Sequence, residues 1–430
     1  MSRPVPSRLL GALMAFVLVG CVPLGTPVPS QSLIPSPVAY VTAGPLPRPT
    51  LTPTPLVLAT PTQPPPTAAP RNYPVDTSAT VGLWSERAPG NFTGTLDLAL
   101  GAAGLELRKS NLRLVTLTSA QVFSGFSGVL SETRASNPGF LLYDKDGKIA
   151  LTTDGQAAVL NIRNEQVRAQ VADRVAQAAR GYDGVILQGV GAELIRPNAS
   201  PIFTTTKAFT DAQRKDAVDG LLRAVRARVP DKLLLVAGYA WEDGAAFSAR
   251  PTESQELAAL VDGALIERFL RAPISRTNEF KNESNWKKDV DLLANLSQDN
   301  KVVLLTTRFD EPISGTQKAE WLRYVVTSYL LGKNGSRTYL QFDSAGDLTY
   351  LEDTQLNTRL GVAAEGYSKL SNGLYKRLFT NGVVLVNPGD KAIKIDIEAE
   401  FKASFETLSG LTVKSVELAP RAGIILLSRK

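Results

Sequence analysis

The strongest constraint on the fold is a pattern that recurs along most of the chain, a short continuous apolar run joined to a stretch with apolar residues at helical spacing. Asn164 to Ala179 carries Val167, Val171, Val175 and Ala178 on one helical face, and the run Asp183-Gly184-Val185-Ile186-Leu187 follows. A helix is expected from Thr210 to Arg228, with Val218, Leu221, Leu222 and Val225 inward, and then the strand Leu233 to Val236. The same alternation gives a helix over Glu253–Val261 before Ala264-Leu265-Ile266, and a helix over Lys287–Leu296 before Val302 to Leu305. The last unit is a helix over Lys318–Leu331 before Thr338 to Phe342. Thr80 to Trp84 reads as a first strand and Leu112 to Leu117 as a later one. Strands that are apolar on both faces belong in a parallel sheet covered by its own crossover helices. So many strands in one direction favour a (β/α)8 TIM-like barrel over a small doubly wound sheet. Between Asn91 and Leu151 the pattern is too weak to place two strands.

After about Asn357 the pattern changes to short strands separated by turns. Val383 to Val386, Ile393 to Ile397, Val413 to Leu418 and Ile424 to Leu427 are the strands, with Asn387-Pro388-Gly389-Asp390 and Ser409-Gly410 between them. The expected layout is a barrel over residues 76–356 and a small antiparallel all-β (sandwich) domain over residues 357–430.

The first 75 residues fit neither part. Arg3 and Arg8 precede an apolar run from Leu9 to Val19, which ends at Leu18-Val19-Gly20-Cys21. The run is about half of the ~20 residues a membrane span requires, and it has the layout of an export signal. Residues 1–20 are therefore expected to be a signal peptide. The four residues up to Cys21, the only cysteine, resemble the lipobox of bacterial lipoproteins, which implies lipidation at Cys21 and a protein anchored through that lipid to the outer face of a membrane in the cell envelope. Residues 21–75 hold more than half of the 28 prolines, and beyond the cysteine only Arg48 and Arg71 are charged. Proline lacks an N–H and fixes φ, so this stretch reads as an extended stalk on the order of 100 Å long.

The chain contains no histidine. That excludes Ser-His-Asp and Cys-His catalysis and every His-ligated metal site. A net charge of +6 over 430 residues, with no dense Lys/Arg run, argues against nucleic acid as a partner. No metal motif and no cofactor motif appears, and the oligomeric state leaves no mark on the sequence. Chemistry in such a chain falls to carboxylates, Tyr, Lys or Arg, and paired carboxylates are the equipment of glycoside hydrolases.

Asn161 to Arg168 followed by Gly181-Tyr182-Asp183-Gly184-Val185-Ile186-Leu187 resembles the fourth β-α step of the glycoside-hydrolase-like TIM barrels related to the endo-polygalactosaminidase-like families. Val261 to Phe269, Ser328 to Lys333 and the tail segments Gly373 to Phe379, Gly382 to Pro388 and Leu418 to Leu426 extend the resemblance. It covers most of Thr80–Leu427 in order. It implies a barrel with a C-terminal β-sandwich cap, and an oligo- or polysaccharide as partner.

In such barrels the reacting groups stand at the C-terminal ends of strands. The family pattern has an acid just after the Asp-Gly-Val strand, and this chain has Gln188 there, which transfers no proton. Asp183 stands at the opposite end of the strand and reads as structural. Glu193, in the following loop, is either a displaced acid or a solvated residue. Glu267 follows Ala264-Leu265-Ile266 and matches the family's glutamate; it either lines the pocket or pairs with Arg268 or Arg271. Tyr239-Ala240-Trp241-Glu242 follows Leu233–Val236 and combines sugar-stacking rings with a carboxylate. Trp84, Arg308, Asp310 and Asp343 end other strands. The expected mechanism is glycosidic hydrolysis by two carboxyl groups, with Glu267 as acid or base and Glu242 as partner, Glu193 or Asp343 substituting. Trp84, Gln188, Tyr239, Trp241, Arg308, Asp310 and Asp343 are expected to bind substrate. The alternative is a catalytically inactive, carbohydrate-binding or envelope-associated barrel, favoured by Gln188.

Overall fold

The computed structural model describes residues 81–85, 96–100, 110–117, 138–143, 148–149, 158–188, 211–237, 259–271, 279–309, 311–344, 350 and 353–429. All of them lie in one compact unit, Gln63–Lys430. The expected signal, Cys21 and the stalk lie outside the described residues, as does most of the helix expected from Glu253.

Eight strands pair in sequence order: β1 (Trp84–Ser85), β2 (Leu96–Leu100), β3 (Ser110–Leu117), β4 (Gly184–Leu187), β5 (Leu233–Ala237), β6 (Gly263–Ile266), β7 (Val302–Phe309) and β8 (Thr338–Ser344). Every adjacent pair is parallel. The ring closes where Leu83 bridges Leu340 in parallel and the Leu340 N–H donates to Gly82 O at 2.7 Å. The fold is thus the expected TIM-like barrel. The sequence pattern misses β2, because Leu96-Asp97-Leu98-Ala99-Leu100 carries an aspartate in mid-strand; its carboxylate accepts the Leu83 N–H at 2.8 Å and helps set the β1–β2 register.

The crossover helices among the described residues are α1 (Glu165–Ala178), α2 (Asp211–Arg228), α3 (Glu283–Gln298) and α4 (Gly315–Gly332). Each start has a chemical cause where the cap is described. The Asn164 side chain accepts from the Gln166 and Val167 N–H groups, Asn282 accepts from Asn285, and Ser314 forms a capping box with Gln317. Side chains alternate along each strand, so Val185, Leu187, Leu234, Val236, Val303 and Leu305 pack outward with the helices. Ile186, Leu233, Leu235, Leu265, Val302 and Leu304 fill the barrel with Leu98, Leu112, Leu114 and Tyr339. Burial of each such Leu, Ile or Val contributes about 1.5–3 kcal/mol.

The Asp-Gly pairs at the starts of β4 and β6 do the same work twice. Asp183 accepts the Arg113 N–H at 3.0 Å, and Asp262 accepts the Leu234 N–H at 2.8 Å while pairing with Arg226. A Cβ on Gly184 would stand 2.4 Å from Leu233 O, and one on Gly263 would stand 2.0 Å from Val302 O, so only glycine lets these strands approach.

Helix α4 carries both the barrel seam and the interface with the C-terminal sheets. Its buried Tyr329 hydroxyl donates to Thr338 O at 2.8 Å and accepts the Gly82 N–H at 3.3 Å, spanning β1 and β8. Burial pushes that phenol well above the usual tyrosine range, so it stays a neutral donor and acceptor.

The tail forms β9 (Ser368–Lys369), β10 (Tyr375–Phe379), β11 (Gly382–Asn387), β12 (Ile393–Asp396), the short helix α5 (Ile397–Phe401), β13 (Phe405–Glu406), β14 (Thr412–Val413), β15 (Ser415–Leu418) and β16 (Ala422–Ser428). A six-stranded sheet, ordered β14-β13-β16-β11-β10-β9, stands beside the antiparallel pair β12-β15. Val383, Leu385 and Leu426 face that pair, while Val384, Val386 and Ile425 join the core around the barrel helices. The antiparallel sheets agree with the sequence reading; β9, β10 and β13 are additions to it.

The contact with α4 is held by Arg377 from β10. It is 3 % exposed, and it donates to Leu330 O at 3.2 Å, Leu331 O at 2.8 Å and Lys333 O at 2.6 Å, and to Asn334 Oδ1 at 2.6 Å. These are the orphan carbonyls of the last helical turn, at the negative end of the dipole. Burial pulls the guanidinium down to about 10, which leaves it charged at neutral pH. Nearby, Tyr375 Oη donates to Glu283 Oε1 at 2.8 Å and Lys369 Nζ to the same atom at 2.5 Å.

Replacing Arg377 with Leu should lower stability by about 2–3 kcal/mol, because charged hydrogen bonds to buried carbonyls are lost; urea unfolding measures it. The hydrogen bond from Lys369 holds the Glu283 carboxyl below its ordinary 4.5. Its contribution is therefore full above that value and lost as pH falls through the lower native one. Glu283→Gln should flatten the acid limb of the Tm–pH curve and leave the alkaline limb unchanged.

Candidate active site at the barrel mouth

The C-terminal ends of β7 and β8 show how the barrel turns from core to site. Register pairs Leu304 with Tyr339, Thr306 with Gln341 and Arg308 with Asp343. Because side chains repeat every two residues, the three pairs lie on one face of the sheet, one above the other. The lowest pair belongs to the barrel filling. The middle pair is neutral and polar, with Thr306 Oγ1 3.5 Å from Gln341 Oε1. The top pair is ionic, with Arg308 Nε 3.0 Å from Asp343 Oδ2, and its side chains are 39 % and 17 % exposed.

Other strands end in the same way. Gln188 follows β4, above Ile186, and its N–H continues the ladder to Leu117 O at 3.0 Å. Glu267 follows β6, above Leu265, and is exposed. Across the position of β5, Gln188 Nε2 donates to Glu267 Oε1 at 3.3 Å. Where the family pattern has an acid, this chain thus has an amide that hydrogen-bonds the Glu267 carboxylate. On β3, Thr116 follows the inward Leu112 and Leu114, and its hydroxyl is buried with no hydrogen-bond partner among the described residues.

The chain after Glu267 is held tightly. Phe269 N–H donates to Thr306 O at 2.9 Å, and Thr307 Oγ1 donates to Phe269 O at 3.0 Å. Leu270 has φ +63°, unusual for a residue with a Cβ, and its N–H donates to Asp289 Oδ2 at 2.8 Å. Arg271 is buried with its guanidinium 4.1 Å above the Phe309 ring.

The structure brings together Gln188 and Glu267, and separately Arg308 and Asp343. Trp84 requires a correction. Its indole is fully buried in the barrel filling, with Nε1 donating to Leu305 O at 2.8 Å, so it presents no face for a sugar to stack on. Asp183 lies at the opposite end, as its position in the strand implies. Glu193, Tyr239, Trp241, Glu242 and Asp310 lie outside the described residues. Among the described residues, no three acidic side chains gather into a metal site.

Sequence reasoning passed over Thr306, Gln341 and Thr116. Gln341 was readable, since it is the one polar residue of Tyr339-Leu340-Gln341-Phe342 and has the parity of Asp343. Thr306 was not, because Thr307 beside it has the opposite parity and identical chemistry.

Solved structures of similar fold include an alpha-amylase from Lactobacillus plantarum, 12% identical, with 74% of this chain and 78% of that one aligned at a TM-score of 0.43. The glycoside hydrolase domain of PelA from Pseudomonas aeruginosa is 14% identical over 63% of this chain and 97% of that one, at 0.39. Type I pullulanase from Bacillus subtilis is 10% identical over 74% and 54%, at 0.45. No curated protein matches the sequence. The match that identifies the chain is with Hypothetical glycosyl hydrolase family 15 over residues 127–383, more than half of its length. Since that span takes in Gln188, Glu267, Arg308 and Asp343, the chain, barrel mouth included, belongs to this family.

Proposed function

We propose that the protein is a glycoside hydrolase of a bacterial envelope, lipid-anchored at Cys21 and acting on an oligo- or polysaccharide. The observation that carries this reading is the exposed Glu267 at a β-strand end of the barrel mouth, oriented by Gln188 at 3.3 Å. Family membership supports the reaction class. Glu267 is one of two reacting carboxyl groups. The second comes from Glu242, Glu193 or Asp343. A spacing of about 5–5.5 Å between the two gives retention, with one acting as nucleophile, and ~6.5–9.5 Å gives inversion, with water between them. Asp343 is already bound to Arg308, so the ion pair suits the holding of sugar hydroxyls better than proton transfer. The neutral Thr306 and Gln341 beneath it offer further hydrogen-bond partners without adding charge. Tyr239 and Trp241, which follow β5 in the sequence, and Asp310, which follows β7, are further substrate-binding residues in this reading.

A second reading, a binding barrel without turnover, is favoured by Gln188 in the place of the family's acid. The two readings part in one assay. Release of reducing ends from a panel of bacterial and plant polysaccharides should occur with the full chain, and Glu267→Gln should lower it by about 100-fold or more while leaving the circular dichroism spectrum unchanged. Retardation in polysaccharide-containing gels with no release by the wild type would establish the binding barrel instead. For the anchor, Cys21→Ser should abolish palmitate labelling and move the protein from the membrane fraction to the soluble one.

A further inference from the structure

A buried ion pair stands behind Glu267, and its contacts run to the backbone that carries that residue. Lys281 and Asp289 lie 2.7 Å apart with side chains 7 % and 2 % exposed. Asp289 Oδ2 accepts the Leu270 N–H at 2.8 Å, and Lys281 Nζ donates to Arg268 O at 3.4 Å. The pair therefore grips the turn at two points, one and three residues beyond Glu267. Leu270, the second of those points, sits at φ +63°, in the left-handed region that disfavours a residue with a Cβ. Strain of this kind persists only where its surroundings over-determine it. The Leu270 side chain is fully buried, so packing and the Asp289 acceptor together hold the turn.

Stability alone does not account for a buried pair. Taking two charges out of water offsets most of their attraction, and an apolar pair of similar volume is often as stable or more so. What an apolar pair lacks is an acceptor for the Leu270 N–H and a donor for Arg268 O. We propose that Lys281 and Asp289 are positioning residues that fix the turn after β6 and so aim the Glu267 carboxylate at the barrel mouth, opposite Gln188. The proposal rests on the reading of Glu267 as a reacting carboxylate.

Three variants of the full chain test it. Lys281→Met with Asp289→Leu removes both backbone contacts and leaves no buried charge. Lys281→Met with Asp289→Asn is also uncharged but keeps an oxygen for the Leu270 N–H. Glu267→Gln is the reference. One measurement is carbodiimide coupling of glycinamide to Glu267, resolved by peptide mass spectrometry against the exposed Glu398. The other is kcat and KM on whichever polysaccharide of the panel the wild type cleaves. In the Met/Leu variant the protein should stay folded with a thermal midpoint near wild type, coupling at Glu267 should rise several-fold relative to Glu398, and kcat should fall about 10- to 100-fold with KM nearly unchanged. The Met/Asn variant, which keeps the acceptor for Leu270 but loses the donor to Arg268 O, should fall between Met/Leu and wild type in both quantities. Wild-type coupling and wild-type kcat in a folded Met/Leu variant would overturn the proposal. If Met/Leu fails to fold, the Met/Asn variant decides, since raised coupling at Glu267 with a lowered kcat there supports the proposal and wild-type values of both overturn it. Full activity of Glu267→Gln would instead remove the reading of the site, and the coupling measurement would still decide whether the pair aims that carboxylate.

Discussion

The barrel depends on its β1–β8 seam, where Leu83 bridges Leu340 in parallel, the Leu340 N–H donates to Gly82 O, and the Tyr329 hydroxyl bonds to both sides. A parallel sheet that fails to close leaves two rows of unpaired backbone groups at its edges. Among the described residues β1 spans Trp84–Ser85, and a side chain from α4 adds a hydrogen bond on each side of the seam. The same helix ends under Arg377, whose donors take up the carbonyls of its last turn. Seam and C-terminal sheet are thus coupled through one helix, and residues 63–430 form a single compact unit.

With the ring closed, the site follows from parity. Residues of one parity run upward from Leu304 and Tyr339 through Thr306 and Gln341 to Arg308 and Asp343. The lower barrel is filled by apolar side chains, and polarity increases toward the loops. Gln188 and Glu267 are the corresponding upper residues on β4 and β6. A sugar at this mouth meets hydrogen-bonding groups at its rim and apolar packing beneath, which suits a ligand with hydroxyl edges and C–H faces.

Much of this was legible in the sequence, for physical reasons. Strands β4 to β6 and the lower parts of β7 and β8 are apolar on both faces because helices cover one face and barrel filling the other, and such runs are hard to mistake. Glu267 and Asp343 stand where a strand's apolar run stops, which marks the mouth. Asp183 was correctly set at the other end, where it accepts the Arg113 N–H. Strand β2 was hidden by Asp97, a polar side chain spent on a neighbouring strand's N–H. Trp84 deceived for a related reason: an aromatic ring at a strand end looks like a sugar platform until closure places it inside the ring. No spacing rule joins Lys281 and Asp289 to Leu270, since their meeting depends on how α3 docks against the turn after β6.

Arg377 also joins parts of the chain that are made at different times. A chain emerging from its N-terminus presents all eight barrel strands and α4 before β10 exists. Until then the last turn of α4 keeps its carbonyls uncapped, on the helix whose Tyr329 must lock the seam. In the finished fold those carbonyls are taken up by a residue from beyond the barrel, so the C-terminal sheet completes the end of a barrel helix as well as covering it.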